Sequence, residues 1–202
     1  VNIAFYGGEP LLNFELIKEI VKYSNHVIYN KNITYSMTTN FSVVTDEIVD
    51  FLSENRFKLL ISLDGPEAIQ NFHRRFSTNG LGTYQTVVDN VIKIKTKYNE
   101  YFCSSIRFNP VVYYDENPLE VLNFFDKVLG VPKHNIQLQH VDITGLNIAF
   151  DPLDLDKYNE YEALFKSNDL TYFESVLSDN SSITSMYHLN GSCVPGSGKL
   201  FV

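Results

Sequence analysis

The stretch NIAFYGGEPLL, residues 2–12, joins an apolar run to an amphipathic segment through two glycines, a glutamate and a proline. The apolar run is typical of a buried strand, and Pro10 suits the first turn of a helix. Gly7 and Gly8 allow a sharp turn and a close approach of the backbone to a ligand, while Glu9 supplies a carboxylate. Backbone carbonyls and a carboxylate together suit an ammonium group. The stretch therefore predicts either a ligand-binding turn or a plain strand-to-helix connection.

Outward from this turn, short apolar runs alternate with helical patterns as far as residue 143. Strands are predicted at residues 1–6, 33–40, 58–65, 104–113 and 136–143, and helices at residues 12–28, 45–55, 83–98 and 118–130. This alternation is typical of an α/β fold whose parallel strands are wound by right-handed crossovers. The first predicted helix is expected to face the core with apolar residues at helical spacing, namely Leu12, Leu16, Ile17, Ile20 and Val21.

Composition excludes several classes of function. The length of 202 residues suits one α/β domain, and the net charge of −8 disfavours a nucleic-acid partner bound through its phosphates. No apolar run approaches the roughly 20 residues that a membrane span needs. The two cysteines, Cys103 and Cys193, form no disulfide framework and fit a cytoplasmic protein. Cys103 is expected to be a small core residue where the fourth strand begins.

Mostly polar residues lie toward the carboxyl end of each of the five predicted strands. In parallel α/β sheets the carboxyl ends of the strands carry the chemistry, so these residues are expected to form a small-molecule site at one rim. They are Gly7, Gly8 and Glu9 for the first strand, Thr38, Thr39 and Asn40 for the second, Ser62, Asp64 and Gly65 for the third, Arg107, Asn109 and Pro110 for the fourth, and Gln137, Gln139, His140 and Asp142 for the fifth. Hydrolase, Rossmann and P-loop motifs are absent from the sequence.

Four segments resemble motifs of the radical S-adenosylmethionine (SAM) enzymes, in the order in which that family has them. FYGGEPLL resembles the GGE segment, YSMTTN the third-strand TN motif, and LLISLDGP the fourth-strand S-[IL]-D-G-P motif. The segment FHRRF, followed by NGLGTYQTVVDNV, resembles the entry to the fourth helix. The resemblance implies a partial, TIM-like (β/α)6 radical SAM barrel over residues 1–150, in which the predicted strands are the second to the sixth. A helical connection over 151–190 and the beginning of a SPASM-type extension over 191–202 would follow.

The resemblance also implies how SAM would be bound. Gly7, Gly8 and Glu9 would bind the amino group of its methionine moiety. Ser62 would contact the ribose or the carboxylate. Arg74, twelve residues beyond Ser62, would pair with the carboxylate, because a guanidinium offers a planar fork that matches it. The neighbouring Arg75 is the alternative, and one of the two arginines is expected to be a surface charge.

Four further residues complete the implied SAM-binding set. They are Thr39, Asn40, Asp64 and Asn109. Asp64 could instead only cap its turn, and Thr39 and Asn40 could likewise serve only a turn. The family often has glycine after this asparagine, but Phe41 stands here, and this departure concerns the local shape of the loop.

Iron–sulfur clusters are also implied. The family holds a 4Fe–4S cluster on a C-x3-C-x2-C segment upstream of the GGE segment, and no such spacing occurs in these residues. We expect that segment to have been cut away or left out, so that the chain is a fragment that is inactive by itself. Cys193, in NGSCVPGSGKLFV, resembles the first cysteine of a SPASM region and is expected to ligate an auxiliary 4Fe–4S cluster in a longer protein.

The implied function is that of an enzyme in which the cluster cleaves SAM and a 5′-deoxyadenosyl radical abstracts hydrogen from a peptide or protein. A reductant such as flavodoxin or ferredoxin would supply the electron. The motif sequences are most similar to those of maturases that form thioether or carbon–carbon crosslinks in ribosomally made peptides. An anaerobic sulfatase maturase, which forms formylglycine, is the alternative enzyme. A non-catalytic SAM- or peptide-binding module is the alternative of another class.

Overall fold

The computed structural model describes residues 1–29, 31–113 and 116–140, together with 163, 164, 166, 167, 200 and 201. The helices are α1 (Phe14–Val27), α2 (Asp46–Glu54), α3 (Glu67–His73), α4 (Tyr84–Lys97), α5 (Asn99–Ser105) and α6 (Pro118–Lys127). The strands are β1 (Asn2–Phe5), β2 (Thr34–Thr39), β3 (Lys58–Ile61), β4 (Ile106–Phe108), β5 (Val111–Val112), β6 (Gln139–His140) and β7 (Leu200–Phe201). Short 3-10 helices cover Pro10–Asn13 and Lys133–Asn135.

The chain divides into two compact units. The first contains the described residues of Val1–Ser62 and Gln85–Arg107, together with β7. The second contains Leu63–Tyr84 and the described residues from Phe108 onward to 167. The barrel domain predicted over residues 1–150 includes residues of both units.

The first unit is built on a sheet with the strand order β4-β3-β2-β1-β7. The pairs of β1 with β2, of β2 with β3 and of β1 with β7 are parallel, which confirms the predicted α/β fold with a parallel sheet. Phe5 of β1 lies opposite Met37, and Met37 lies opposite Leu59 of β3. The carboxyl ends of these three strands therefore reach the same rim of the sheet.

Aromatic side chains form much of the core of the first unit. Phe57 is fully buried, and its ring lies 5.2 Å from Tyr35, 5.6 Å from Phe5 and 5.9 Å from Phe51, measured between ring centroids. The Tyr101 hydroxyl donates to the Phe57 carbonyl over 2.6 Å, and burial raises the pKa of Tyr101 far above its usual value. Because Phe57 directly precedes β3, this packing fixes the position of the beginning of that strand.

The first helix begins later than predicted, and it buries fewer of its apolar residues. Glu9 caps the 3-10 helix Pro10–Asn13, and α1 follows from Phe14. Ile17 and Val21 face the core as expected, but Leu12 and Leu16 are 73% and 41% exposed. The expectation for those two leucines was wrong. Leu12 lies in the 3-10 turn, whose periodicity differs from that of the predicted α-helix, and Leu16 lies on a side of α1 that lines a cleft.

The predicted fourth strand, residues 104–113, is interrupted. Its first residues belong to α5, which ends at Ser105, and β4 and β5 are separated by Asn109 and Pro110. Proline has no N–H to donate to a strand ladder, so the pairing breaks there. The prediction for Cys103 was also wrong, because this residue is exposed on α5 and not in the core.

The second unit contains a helix that was not predicted and part of the predicted fifth strand. The short α3 follows Pro66 and ends directly before Arg74 and Arg75. Gln70 within this helix is fully buried. Ile136 forms a parallel bridge with Phe108, and β6 pairs in parallel with β5. The Phe108 and Phe125 rings pack 5.1 Å apart between centroids in the core of this unit.

Several predicted segments lie outside the described residues. They are residues 141–143 of the fifth strand, nearly all of the helical connection over 151–190, and residues 191–199 with Cys193. Residues 200 and 201 of the predicted SPASM region form β7. Among the helices that the structure describes, none is long and apolar enough to cross a membrane.

Candidate functional site

The Glu9 carboxylate links the exits of β1 and β2. Its Oε1 accepts the Leu11 N–H over 3.0 Å and the Thr39 hydroxyl over 2.8 Å, and its Oε2 accepts the Asn40 N–H over 2.7 Å. Glu9 is half-buried, and these three donors fix the orientation of the carboxylate. A carboxylate has about four lone-pair sites. Because only one of the described residues donates to Oε2, this oxygen keeps an acceptor site for a ligand.

The two glycines before Glu9 shape the turn differently. Gly7 has a φ of +152°, a conformation that favours glycine, whereas the φ of Gly8 is negative or extended. Both residues are exposed, and a Cβ built on either one meets no atom within 4 Å. Conformation therefore requires glycine at position 7, and the open space at position 8 leaves room for a ligand to approach the backbone.

Replacing Gly7 with alanine is expected to lower the free energy of unfolding by about 1–2 kcal/mol, because alanine is strained at this φ. Gly8→Ala is the matched control, expected to change that free energy by less than about 0.5 kcal/mol. Urea unfolding of both variants measures the difference. Equal losses at the two positions would contradict the assigned conformation of the turn.

A cleft of about 240 Å³ opens beside this turn. Its walls come from the end of β1, from the GGE turn and from one side of α1, including the exposed Leu16. The lining combines backbone polar groups and the Glu9 side chain with aliphatic side chains, a mixture that is typical of small-molecule sites.

Thr39 and Asn40 form a tight turn at the end of β2. Thr39 is buried, and its hydroxyl donates to Glu9 and accepts the Phe41 N–H over 2.9 Å. The Asn40 side-chain oxygen accepts both the N–H and the hydroxyl of Ser42. The turn chemistry considered for these residues is therefore present, and it positions Glu9 at the same time.

Phe41 takes the conformation that a glycine would favour. Its φ is +56°, its side chain is fully buried, and its carbonyl accepts the Asn90 side-chain N–H over 3.0 Å. Left-handed conformations cost a non-glycine residue about 1–2 kcal/mol, and burying a Phe side chain recovers about 1.5–3 kcal/mol. The turn at position 41 is therefore left-handed even though the residue there is phenylalanine and not glycine.

Ser62 lies directly after β3. Its N–H donates to the Thr39 carbonyl over 2.9 Å, which continues the ladder by one step. Its half-buried hydroxyl makes no hydrogen bond to any residue that the structure describes. The hydroxyl is thus available to a ligand at the rim where Glu9 and Thr39 lie.

Asp64 and Arg74 pair in the second unit. Arg74 Nε donates to Asp64 Oδ2 over 2.5 Å, and Nη2 donates to Oδ1 over 3.0 Å. The Asp64 side chain is 2% exposed and that of Arg74 is 31% exposed. The Val111 N–H also donates to Asp64 Oδ1 over 3.1 Å. Asp64 is thus more than a turn cap. The neighbouring Arg75 is exposed, and its side chain donates to the Gly80 carbonyl.

Asn109 carries a buried acceptor without a partner. Its Oδ1 is inaccessible to solvent and accepts no hydrogen bond from the described residues. A buried acceptor left unsatisfied costs about 1–3 kcal/mol, so such atoms point to a missing donor. Asn109 lies in the break between β4 and β5, two residues before the Val111 N–H that binds Asp64.

Sequence reasoning missed two polar residues that support these groups. Gln70 accepts the Asp64 N–H over 2.8 Å and donates to the Thr83 hydroxyl over 2.9 Å. Asn90, on α4, holds the Phe41 carbonyl. Asn90 lies among the apolar residues on the buried face of α4, which is the signal that could have identified it, whereas α3 is too short to offer such a signal for Gln70.

Each unit has groups whose chemistry suits part of SAM, and neither suits an iron–sulfur cluster. In the first unit Glu9 offers an acceptor for an ammonium group, and in the second Arg74 has donors for a carboxylate and Asn109 Oδ1 lacks a donor among the described residues. Among the described residues, no group of three or more Cys, His, Asp or Glu side chains could hold a metal ion. Two cysteines in the sequence, 103 and 193, also fall short of three cluster ligands.

Curated relatives of this chain include sulfatase-maturating enzymes and a radical SAM cyclopropyl synthase. A cysteine-type anaerobic sulfatase-maturating enzyme from Clostridium perfringens is 30% identical over 185 residues, which cover 88% of this chain and 44% of the relative. The radical SAM cyclopropyl synthase TigE from Paramaledivibacter caminithermalis is 23% identical over 189 residues, 94% of this chain and 36% of the relative. The chain thus spans less than half the length of these relatives.

Solved structures of one sulfatase-maturating enzyme share the fold. Native anSMEcpe with bound AdoMet and the Cp18Cys peptide gives a TM-score of 0.60 at 26% identity, covering 69% of this chain and 37% of that chain. Hexahistidine-tagged anSMEcpe with bound AdoMet gives a TM-score of 0.66 at 23% identity, covering 89% of this chain and 46% of that chain. The family model of the radical SAM superfamily matches residues 1–128, a range that contains every described residue of the candidate site. The chain therefore belongs to the radical SAM superfamily.

Proposed function

We propose that this chain supplies the SAM-binding part of a radical SAM enzyme that modifies a peptide. The observation that carries the proposal is the match to the superfamily over residues 1–128, within which Glu9 and Ser62 stand at strand ends with acceptor and donor groups available. The similarity to anSMEcpe, whose structures hold AdoMet, supports the same assignment.

Each residue has a task that follows from its surroundings. Glu9 binds the ammonium group of SAM with its remaining lone pair, and the exposed Gly7–Gly8 backbone approaches the same group. The Ser62 hydroxyl donates to a ribose or carboxylate oxygen. Arg74 binds the carboxylate, and Asn109 is a further proposed contact, which its buried Oδ1 could make only after its side chain moves. These contacts would hold the ligand in one orientation, which is the main task of protein groups in cofactor chemistry.

The radical chemistry itself requires groups that these residues do not hold. When bound, a 4Fe–4S cluster and SAM supply a 5′-deoxyadenosyl radical that abstracts hydrogen, with a reductant such as flavodoxin or ferredoxin as the electron source. We place the cluster ligands outside this chain and Cys193 on an auxiliary cluster. A cytoplasmic location fits the oxygen sensitivity of such clusters.

Two classes of peptide modification remain as candidates. We propose a maturase that crosslinks a cysteine-containing, ribosomally made peptide. The anaerobic sulfatase maturase is the second candidate, and the 30% identity to a cysteine-type enzyme over 88% of this chain favours it. The two differ in product: a thioether crosslink keeps sulfur and loses two hydrogens, whereas formylglycine formation replaces the cysteine CH2–SH group with an aldehyde.

The test is anaerobic incubation, with dithionite, SAM and a cysteine-containing peptide, of a reconstituted protein that contains this chain together with the cluster ligands that we place outside it. Release of 5′-deoxyadenosine is expected, and intact-mass analysis of the peptide then separates crosslinking from formylglycine formation. A protein that binds SAM but releases no 5′-deoxyadenosine would support the non-catalytic binding module instead. A protein that does not bind SAM at all would overturn the proposal.

A further inference from the structure

The pairing of Asp64 with Arg74 uses one particular edge of the guanidinium. Asp64 takes the edge formed by Nε and Nη2, in a bidentate arrangement. A guanidinium has five N–H donors, and two of them are used here. Nη1 and the second N–H of Nη2 make no hydrogen bond to the residues that the structure describes. A second carboxylate could therefore bind the same guanidinium end-on, at the edge formed by Nη1 and Nη2.

The backbone around the pair is held by buried groups. The Asp64 N–H donates to Gln70 Oε1, and the Arg74 N–H donates to the Gln70 carbonyl over 2.8 Å. The Arg74 carbonyl accepts both the N–H and the hydroxyl of Thr83, each over 3.2 Å. Gln70 is fully buried and Thr83 is buried, so the hydrogen bonds that hold the backbone of Asp64 and Arg74 are shielded from solvent.

Charge and orientation have opposite effects on a ligand carboxylate. The Asp64 carboxylate, which is 2% exposed, repels the carboxylate of a ligand. It also fixes the Arg74 side chain, whose torsions would be free without this ion pair. A flexible arginine loses up to about 2 kcal/mol of side-chain entropy on being fixed, whereas an anchored one has already lost it. Asp64 does not present its carboxylate to a ligand, because its side chain is 2% exposed and its two oxygens face the Arg74 guanidinium and the Val111 N–H.

We propose that Asp64 is a positioning residue, which aims the Nη1–Nη2 edge of Arg74 at the carboxylate of SAM and does not itself contact the ligand. This inference rests on the proposed function, because the carboxylate belongs to the ligand proposed there. It replaces the expectation from the sequence that Asp64 binds the cofactor directly.

The test compares two ligands that differ in one group. SAM and decarboxylated SAM share the adenosine, the sulfonium and the amino group, and only SAM has the carboxylate. In purified protein, D64N is expected to weaken the binding of SAM about tenfold, because an amide at position 64 presents an N–H donor to the guanidinium and breaks the bidentate pair. The affinity for decarboxylated SAM is expected to stay at the wild-type value. Isothermal titration calorimetry gives both dissociation constants.

Two further variants control the result. R75Q removes a positive charge one residue away, on an exposed side chain, and is expected to leave the ratio of the two affinities unchanged. If D64N does not fold, D64N/R74Q replaces both charges together and leaves no unpaired arginine. It is expected to lose SAM affinity selectively as well, which tests the premise that Arg74 is the contact of the carboxylate.

Three results would overturn the inference. They are unchanged or tighter SAM binding by D64N, an equal loss for both ligands, and unchanged SAM binding by the double variant when D64N alone does not fold. Wild-type protein that binds neither ligand would overturn the proposed function and this inference with it. Wild-type binding without the selective loss in D64N would overturn this inference alone.

Discussion

Replacing Glu9 with glutamine is expected to lower the affinity for SAM about a hundredfold, which corresponds to about 2.7 kcal/mol of binding free energy. The substitution removes the negative charge that would face the ligand ammonium, a charge-assisted contact worth about 1.5–3 kcal/mol. It also replaces one carboxylate oxygen with an NH2 group, which cannot accept the N–H of Asn40 or of Leu11. The side chain would then no longer hold its present orientation.

Calorimetric titration of SAM into the wild-type protein and the E9Q variant measures this effect. E15Q is the matched control, because Glu15 lies in the first turn of α1, is exposed, and contacts Lys18 on the surface over 2.6 Å. Its SAM affinity is expected to match that of the wild type. Wild-type affinity in E9Q would show that the GGE turn is a plain strand-to-helix connection.

The left-handed conformation of Phe41 predicts that two isomeric substitutions differ in stability. Phe41→Leu is expected to lower the free energy of unfolding by about 1–2 kcal/mol, through lost packing at a fully buried site. Phe41→Ile is expected to cost at least about 1 kcal/mol more, because a β-branched residue is a genuine outlier at positive φ. Leucine and isoleucine are isomers, so a difference in the free energy of unfolding between the two variants reports the cost of the positive φ at position 41.

Urea unfolding of the two Phe41 variants provides the measurement. Phe41→Gly is the complementary control: it relieves the strained φ but removes the whole ring, and a net loss of about 2–4 kcal/mol is expected. Equal stability of the leucine and isoleucine variants would contradict the left-handed turn. A glycine variant more stable than the wild type would instead contradict the inference that burial of the ring outweighs the backbone strain.

The sequence was sufficient for the parallel sheet and for the residues at its rim. Short strand-like segments recur at a regular spacing, and the residues at their carboxyl ends are glycine or polar, so Glu9, Thr39 and Ser62 could be assigned to strand ends from the sequence. This works because the carboxyl ends of parallel strands reach the same rim of a sheet, where ligands bind.

The partners of these residues could not be predicted in the same way. Arg74 meets Asp64 only because α3 intervenes, and α3 is too short to show a helical period. The turn at Phe41 depends on Asn90, which is 49 positions away in the chain. Side-chain contacts of this kind arise from tertiary packing, which overrides local preference.

The clamped carboxylate of Glu9 has a consequence for how a ligand would bind. Donors from two strand exits already hold it, so its rotamer is selected when the protein folds and not when a ligand arrives. Ordering a free glutamate side chain costs up to about 2 kcal/mol, and that cost does not recur at each binding event. The rim is in this sense preorganised: an ammonium group would meet an anion whose direction is already set, and association would require no rearrangement of this part of the protein.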